Sequence, residues 1–234
     1  MTEIEFVNYL KDNGLEISSK QLEQLNMYQI LLKEKNQVMN LTSITEKEEV
    51  FEKHFLDSLL FSFGEDLSDK KCIDVGTGAG FPGLVLAICY PNIQMTLLEP
   101  LIKRCNFLNE VITKLSLNNV MVVNQRCEDF CKNHIEEYDF AFARAVSRLN
   151  ILLEIIVPLL KVNGYFVALK GKIYQEEINE SCRAIKELNV IIEKVKEHNL
   201  PSENDVRGNI FIKKIKTTSA KYPRNYGQIK KRPL

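Results

Sequence analysis

The order of the elements predicted from Lys71 onward restricts this chain to one kind of fold. Short β-rich runs alternate there with helical stretches, and each crossover helix returns the chain to the same end of a sheet, which predicts a mostly parallel α/β sheet. The last two β-rich runs have no room for a long helix between them, so we expect an antiparallel pair at the sheet edge. The predicted strands are CIDVG, MTLLE, VMVVN, YDFAFA and YFVAL, followed by the edge pair NVIIEKVKEH and NIFIKKIK.

The residues before this alternation predict helices. Apolar residues recur three and four positions apart in two stretches, as on one face of a helix. Thr45 and Glu48 match a capping box before the second stretch. We expect two or three helices before Asp66, and three parts of the chain: a helical extension (1–66), an α/β domain (67–217) and an extended basic tail (218–234). The two apolar faces are Leu22, Leu25, Tyr28 and Leu32, and Val50, Phe51, Phe55 and Leu59.

Charge is unevenly distributed along a chain whose formal net charge is zero. Residues 206–234 contain nine of the 31 basic residues and none of the 31 acidic ones. A basic end on an acidic body suggests contact with nucleic-acid phosphates, with general solubility as the alternative. The candidate RNA contacts in the tail are Lys221, Arg224, Lys230, Lys231 and Arg232.

Composition argues against several other classes of protein. Hydrophobic residues make up 45% and charged residues 26% of the chain, as in ordinary globular proteins. The longest apolar run, 151–160, is too short to span a bilayer, and the acidic amino terminus does not match a secretory signal. We therefore expect a cytoplasmic protein. The six cysteines lack the spacing of a metal or redox site, so we expect no metal.

A glycine-rich loop over residues 74–83 follows the first predicted strand, where a doubly wound sheet binds its ligand. Glycines allow positive φ angles and close approach of a ligand to the backbone. The loop matches both G-x-G-x-x-G of dinucleotide enzymes, from Gly78, and D-x-G-x-G-x-G of S-adenosylmethionine enzymes, from Asp74. Both classes use an acid after the second strand to bind ribose hydroxyls, and Glu99 occupies that position. The loop glycines expected to bind this adenosine-containing ligand are Gly76, Gly78 and Gly80.

The rest of the sheet favours S-adenosylmethionine over a nicotinamide cofactor. Only 64 residues follow Lys170, too few for the further parallel strands and catalytic domain of a nicotinamide-dependent oxidoreductase. Cys127 and Glu128, after the third strand, are placed to meet an adenine edge. PLLKVNGYFVALKG matches the helix, turn and strand that S-adenosylmethionine-dependent enzymes have at this point. The alternative for Cys127 is a core position and for Glu128 a surface acid.

Several separate motifs resemble one known family: LTSIT, HFLDSLLF, DVGTGAGFPGLVLA, ARAVSRL, ALKG and the terminal YPR. They are similar to the glucose-inhibited-division-B family, the 16S ribosomal RNA guanine-N7 methyltransferases. The resemblance covers nearly the whole chain. It implies a class I S-adenosylmethionine-dependent methyltransferase fold, Rossmann-like, with a helical amino-terminal extension, acting on a guanine of the small ribosomal subunit. We expect the enzyme to be a monomer.

The resemblance also implies which residues contact the methyl donor, S-adenosylmethionine. Members of the family more often have an aliphatic residue at position 127, so the thiol of Cys127 is expected to have no chemical role. The donor contacts carried over from the family are Gly76, Phe81, Cys127, Glu128 and Arg144.

The implied reaction needs no general base. Guanine N7 has an in-plane lone pair and a sulfonium methyl is already activated, so catalysis reduces to alignment of the reacting atoms. Arg144, after the fourth strand, is the candidate positioning residue, because a guanidinium can bind the donor carboxylate, guanine O6 or a phosphate. The alternative for Arg144 is a structural ion pair with an acid such as Glu128.

Three assignments remain open, as does one alternative for the whole chain. His54, Asp57 and Ser58 share a predicted helical face, and we favour a partly buried histidine that holds the extension against the sheet over a catalytic triad. Lys170, after the fifth strand, either contacts RNA phosphate or is solvated. Phe81 either stacks on the donor or packs at the helix start. A non-catalytic RNA-binding module is the alternative for the whole chain.

Overall fold

The sheet follows the predicted order of strands. The computed structural model describes residues 1–202 and 206–234. Its strands are β1 (Lys71–Val75), β2 (Gln94–Leu98), β3 (Val120–Val123), β4 (Tyr138–Arg144), β5 (Leu160–Lys170), β6 (Val190–Asn199) and β7 (Val206–Lys214). Within the described residues they form one seven-stranded sheet in the order β3-β2-β1-β4-β5-β7-β6. β1 to β5 pair in parallel and β7 pairs antiparallel with β5 and β6, which confirms the prediction.

Helices cover both faces of the sheet. The amino-terminal helices are α1 (Glu3–Asp12), α2 (Ser19–Met39), α3 (Lys47–Val50) and α4 (Asp57–Leu59), and a π-helical turn, Phe51–Leu56, joins the last two. The later helices are α5 (Gly83–Cys89), α6 (Ile102–Leu115), α7 (Cys127–Phe130), α8 (Leu149–Ile156), α9 (Tyr174–Glu180), α10 (Cys182–Glu187) and α11 (Tyr226–Lys231). None of the helices in these ranges combines the length and apolar character needed to cross a bilayer.

The predicted helix start at Thr45 is wrong. α3 begins at Lys47, its N-cap is Glu46, and no side chain caps it. Because the helix starts two residues after Thr45, that hydroxyl does not occupy the capping position. Capping boxes do occur at the two preceding helices, where Thr2 caps α1 and Ser18 caps α2.

Alternation along β4 determines which residues face the extension. Phe140 and Phe142 pack with α2, α5 and α6, whereas Ala141 and Ala143 pack with α8 on the opposite face. Successive side chains of a strand point to opposite faces. Arg144 therefore continues the Phe140–Phe142 side and points toward the helical extension.

The prediction of an extended tail over residues 218–234 is wrong. The segment forms α11 and packs against α8, with Tyr222, Ile229 and Leu234 buried. Its anchor is a two-point ion pair in which Arg224 Nε and Nη2 donate to Glu154 of α8 at 2.8 and 2.6 Å. Glu154 is fully buried, and a buried carboxylate requires a charged or hydrogen-bonded partner.

A tyrosine of α2 connects the extension to the glycine loop. The buried Tyr28 hydroxyl donates to the carbonyl oxygen of Ala79 at 2.5 Å, and its ring stacks on Phe55 and Phe81 at centroid distances of 5.5 and 5.4 Å. Gly80 permits this approach, because a Cβ there would lie 2.6 Å from the Tyr28 hydroxyl oxygen. The extension thus fixes the conformation of the loop.

Replacing Tyr28 with phenylalanine should lower the free energy of unfolding by about 1–3 kcal/mol, because the buried Ala79 carbonyl loses its donor. Urea unfolding measures the change. Tyr9→Phe is the matched control: the Tyr9 hydroxyl has no hydrogen bond among the described residues, and its removal should change stability by less than about 0.5 kcal/mol. Equal stabilities of the two variants would contradict the claim that the Tyr28 hydrogen bond stabilises the glycine loop.

Candidate functional site

Three concavities meet at residues 144–146, beyond the carboxyl ends of β1 and β4. This is the point where the strand order reverses, the usual ligand position in such sheets. The large cavity, about 680 Å³, lies toward β5 and β7. The loop cleft, about 210 Å³, is lined by the glycine loop and His54, and the apolar cleft, about 160 Å³, is lined by Leu98, Cys127 and Ile155. Gly76 lines both clefts, and Ala145 and Val146 border the large cavity as well.

The glycine loop adopts the backbone conformation predicted for it. Gly76, Gly78 and Gly80 have φ angles of +69°, +64° and +107°. A Cβ on Gly78 would meet nothing closer than a backbone oxygen at 3.9 Å, so open space lies beside it. Gly83 has a structural role instead, since a Cβ there would lie 2.3 Å from Leu97 Cδ2.

Asp74 holds the two ends of the loop together. Its Oδ2 accepts hydrogen bonds from Thr77 Oγ1 at 2.6 Å and from the Gly83 backbone N–H at 2.8 Å. Burial raises the pKa of Asp74 to about 6. Its Oδ1 is buried and has no hydrogen-bond partner among the described residues.

Glu99 follows β2 and pins the loop from the other side. Its Oε2 accepts from the Gly78 N–H and its Oε1 from the Leu101 N–H, both at 3.0 Å. Glu99 is 1% exposed, and Arg104 Nη1 lies 3.8 Å from its Oε2. Glu99 is thus built into the loop, and its binding of ribose stays a prediction.

The apolar cleft contains both residues predicted after the third strand. Cys127 is buried, and its Sγ donates to the Ile155 carbonyl at 3.1 Å. Contact with the Cys131 thiol, together with burial, raises the pKa of Cys127 well above its ordinary value, which agrees with a thiol of no chemical role. Glu128 also lines this cleft.

Arg144 is held by the helical extension. Its Nη1 donates to Asp57 Oδ2 at 2.8 Å and to the Lys53 carbonyl at 3.2 Å, and its guanidinium lies 5.1 Å from the Phe81 ring centroid. The ion-pair partner is therefore Asp57 and not Glu128, the acid suggested as an alternative. Asp57 borders the large cavity, whereas Glu128 lines the apolar cleft.

His54 is a neutral, structural histidine. Its ring stacks on Phe81 with centroids 4.5 Å apart, and Nε2 lies 2.8 Å from Thr42 Oγ1. Nδ1 lies 3.2 Å from Arg144 Nη2, which only donates, and 3.1 Å from the Lys53 carbonyl oxygen, which only accepts. Burial, and secondarily the charge of Arg144, lower the pKa of His54 to about 3.

These contacts confirm the buried-histidine interpretation over the catalytic triad. Ser58 Oγ donates to the His54 backbone carbonyl at 2.6 Å rather than to Asp57. Phe81 packs between Tyr28 and His54 while lining the loop cleft, so its predicted packing role is confirmed and its donor contact stays a prediction.

The large cavity is lined by a group of cations that sequence reasoning found only in part. Lys170 was predicted either to contact RNA phosphate or to be solvated, and the second alternative is wrong. Its side chain is 8% exposed, with Nζ 2.7 Å from Glu177 Oε2 and donating to the Ser147 carbonyl at 2.6 Å. The basic residues around the cavity are Lys53, Arg144, Arg148, Lys170 and Arg207.

Asn209 is a further residue of this cavity that the sequence analysis did not identify. It is 2% exposed, and its Nδ2 has no hydrogen-bond partner among the described residues. Because β7 is antiparallel, the start of this strand pairs with the end of β5, where Asn209 lies opposite Leu169. The predicted antiparallel edge pair could have indicated this position, because the first residues of its second strand must lie beside the carboxyl end of β5, at the edge of the site.

Comparison with known proteins identifies the family. A family model described as rRNA small subunit methyltransferase G matches residues 21–206. This chain belongs to that family. The ribosomal RNA small subunit methyltransferase G of Thermoanaerobacter pseudethanolicus is 47% identical over 227 residues, covering 96% of this chain and 95% of the relative. That of Bacillus cytotoxicus is 45% identical over 233 residues, covering 98% of each.

Solved structures agree on the fold. M. jannaschii TYW2 in complex with AdoMet has a TM-score of 0.58 at 14% identity, covering 74% of this chain and 80% of that one. A SAM dependent methyltransferase from Aquifex aeolicus has a TM-score of 0.56 at 19% identity, covering 74% and 96%. The predicted class I, Rossmann-like methyltransferase fold is confirmed. Family membership also favours the methyltransferase interpretation over the nicotinamide-dependent oxidoreductase and the non-catalytic RNA-binding module.

The predicted RNA contacts in the carboxyl-terminal segment differ in how freely they meet solvent. Arg224 is occupied by Glu154, and Lys221 lies 3.4 Å from Glu187. The remaining three, Lys230, Lys231 and Arg232, are exposed at the end of α11. RNA contact stays a prediction for all of these residues; Lys221 is exposed as well, but it is paired with Glu187.

His54 should make stability depend on pH in a way that a His54→Gln variant does not. The unfolded chain takes up a proton near pH 6.5 and the folded chain only near pH 3, so stability is lost as pH falls between these values. From pH 7.5 to 5.0 the native protein should lose roughly 2 kcal/mol more than the variant. Urea unfolding at both pH values tests this, and equal losses would contradict a buried neutral His54.

Proposed function

We propose that this protein transfers the methyl group of S-adenosylmethionine to N7 of a guanine in 16S ribosomal RNA of the small subunit. The observation that supports this most strongly is the junction at residues 144–146, where the clefts around the glycine loop adjoin a cavity whose lining includes five basic residues and two acidic ones, Asp57 and Glu177. A donor and an RNA base can meet there. Membership of the rRNA small subunit methyltransferase G family agrees with this proposal.

The clefts fit S-adenosylmethionine, which when bound supplies an activated electrophilic methyl group. The open space beside Gly78 leaves room for the donor against the backbone. In this proposal the ribose hydroxyls bind Glu99, which is 1% exposed, through the lone pairs that its hydrogen bonds with the Gly78 and Leu101 N–H groups leave over. The apolar cleft, bounded by Leu98 and Ile155, suits an adenine ring. Glu128 lies at this cleft, where its carboxylate can accept from an exocyclic amine.

The residues of the chain contribute orientation rather than proton transfer. Three polar contacts and the Phe81 ring fix the Arg144 guanidinium at the border between the loop cleft and the large cavity. There it can hold guanine O6, a phosphate or the donor carboxylate in place. His54 is unsuited to act as a base, since Arg144 and Thr42 occupy its nitrogens and its pKa lies near 3. Guanine N7 needs no general base.

Asn209 supplies selectivity for guanine in this proposal. Guanine presents two acceptors, N7 and O6, on one edge, whereas adenine presents an acceptor and an amine donor. N7 must stay free to take up the methyl group, so the unpartnered Nδ2 of Asn209 donates to O6. An adenine in the same place would leave that buried donor without an acceptor, which is costly.

We further propose a monomeric enzyme that needs no metal and acts in the cytoplasm. A sulfonium methyl requires no Lewis acid, and the ribosomal RNA substrate is found in the cytoplasm. Sedimentation equilibrium at micromolar concentration tests the first point, and retention of activity after chelation tests the second.

Nucleoside mass spectrometry tests the activity directly. Small ribosomal subunits and naked 16S RNA from a strain lacking this family of enzyme are incubated with the protein and S-adenosylmethionine, then digested to nucleosides. We expect 7-methylguanosine at close to one per RNA in at least one of the two substrates. Methylation of another nucleoside, or none in either substrate, would contradict the proposed function.

Arg144→Lys should lower single-turnover methyl transfer about 100-fold, because an ammonium cannot reproduce the three guanidinium contacts that fix its position. The free energy of unfolding should fall by only about 1–2 kcal/mol, since Asp57 keeps its ion pair with Arg207 at 3.3 Å. Arg183→Lys, on an exposed part of α10, is the control. An Arg144→Lys enzyme that is unstable but fully active per folded molecule would show a purely structural role.

Asn209→Leu, a substitution of similar volume, should lower kcat/KM about 10-fold to 100-fold through loss of the O6 hydrogen bond. The affinity for S-adenosylmethionine should stay within about twofold, because Asn209 lines the large cavity and neither of the clefts. Single-turnover kinetics and calorimetric titration give the two numbers. An unchanged kcat/KM would show that Asn209 does not take part in recognition of the guanine base.

Charge removal at the end of α11 should flatten the salt dependence of RNA binding. Replacing Lys230, Lys231 and Arg232 with glutamine should lower the slope of log K against log salt concentration by about 2–3, since each phosphate that is no longer neutralised lowers it by roughly 0.7–0.9. Filter binding at several salt concentrations measures the slope, and an unchanged slope would exclude these residues from RNA binding. A control variant removes the same number of exposed charges elsewhere, at Lys11, Lys20 and Lys186.

A further inference from the structure

The carboxyl-terminal segment reaches the site at the apolar cleft and not at the large cavity. Tyr226, the first residue of α11, is half-buried and lines the apolar cleft together with Gly76, Leu98, Cys127 and Ile155. It lies outside residues 21–206, the range that the family model matches. The segment predicted to contact RNA thus contributes a wall of the cleft assigned above to adenine.

The position of this ring is fixed by the packing of its segment. Asn225 caps α11 through its side chain, which accepts from the Gln228 N–H at 3.0 Å. The Arg224–Glu154 ion pair precedes the ring, and the fully buried Ile229 follows it. Tyr226 is therefore held in position by packing contacts on both sides of it in the chain.

The chemistry of the cleft indicates what the ring contacts. Among the described residues that line the cleft, Tyr226 is the only aromatic one, and Val75, Leu98, Val146 and Ile155 are aliphatic. Its hydroxyl has no hydrogen bond within the described part of the chain. Flat purine rings stack favourably on aromatic faces, and such stacking does not depend on a hydroxyl.

We infer that the carboxyl-terminal segment is part of the methyl-donor site and that the Tyr226 ring covers the adenine of S-adenosylmethionine. This rests on the proposed function, which assigns the apolar cleft to that adenine. Lys230, Lys231 and Arg232, which are proposed above to contact RNA, belong to the same docked segment. Deletion of residues 218–234 consequently impairs both binding sites, and point variants are needed to separate them.

Calorimetric titration of the full chain with S-adenosylmethionine tests the role of the ring. Tyr226→Ala should raise Kd about tenfold or more, whereas Tyr226→Phe should stay within about twofold because the ring remains. Gln228→Ala, on the exposed side of the same helix, should also stay within about twofold. An alanine variant that binds as tightly as the native protein would overturn the inference, and so would a phenylalanine variant as weak as the alanine one.

Hydrogen exchange of the native protein gives a second measurement that requires no variant. Addition of S-adenosylmethionine should slow amide exchange over residues 226–231, and exchange over α1 should not change. Unchanged exchange at 226–231 in protein saturated with the donor would overturn the inference even if Tyr226→Ala fails to fold. Failure of the native protein to bind the donor at all would instead contradict the proposed function, so the two failures are distinguishable.

Discussion

One ion pair, Arg144 with Asp57, joins the helical extension to the carboxyl end of β4, and the geometry of the site depends on it. Both side chains are largely buried, and their pairing offsets the cost of leaving water, with Arg207 as a second partner of Asp57 at 3.3 Å. The guanidinium also orders the loop cleft, through its contact with His54 and its position over Phe81. The extension is therefore a working part of the site and not merely an addition to the domain.

Local patterns predicted the sheet and the glycine loop well. The alternation from Lys71, the antiparallel edge pair and the positive φ angles of Gly76, Gly78 and Gly80 all depend on residues close together in the chain. The capping box at Thr45 failed although it too is local, because the helix begins later than the motif suggests. The division of the chain at residues 66 and 217 stays a prediction.

The features that the sequence analysis did not predict depend on contacts between residues far apart in the chain. Asp57 and Arg144 lie 87 residues apart, and Glu154 and Arg224 lie 70 apart, so no spacing rule pairs them. The docking of the carboxyl-terminal segment depends on a buried carboxylate in α8 that looks, in sequence, like a polar interruption of an apolar run. Asn209 was missed because its role depends on strand register and on an amide left without a partner.

In the proposed function, the site orients the reacting groups and its titratable side chains take no part in proton transfer. His54 is kept neutral, Cys127 is kept protonated, and Asp74 is enclosed beneath the loop. The most direct test is the rate of single-turnover methyl transfer with saturating donor and RNA between about pH 6.5 and 8.5. Catalysis by alignment predicts a rate constant that is flat within about twofold, whereas a tenfold rise per pH unit, marking a general base, would contradict it.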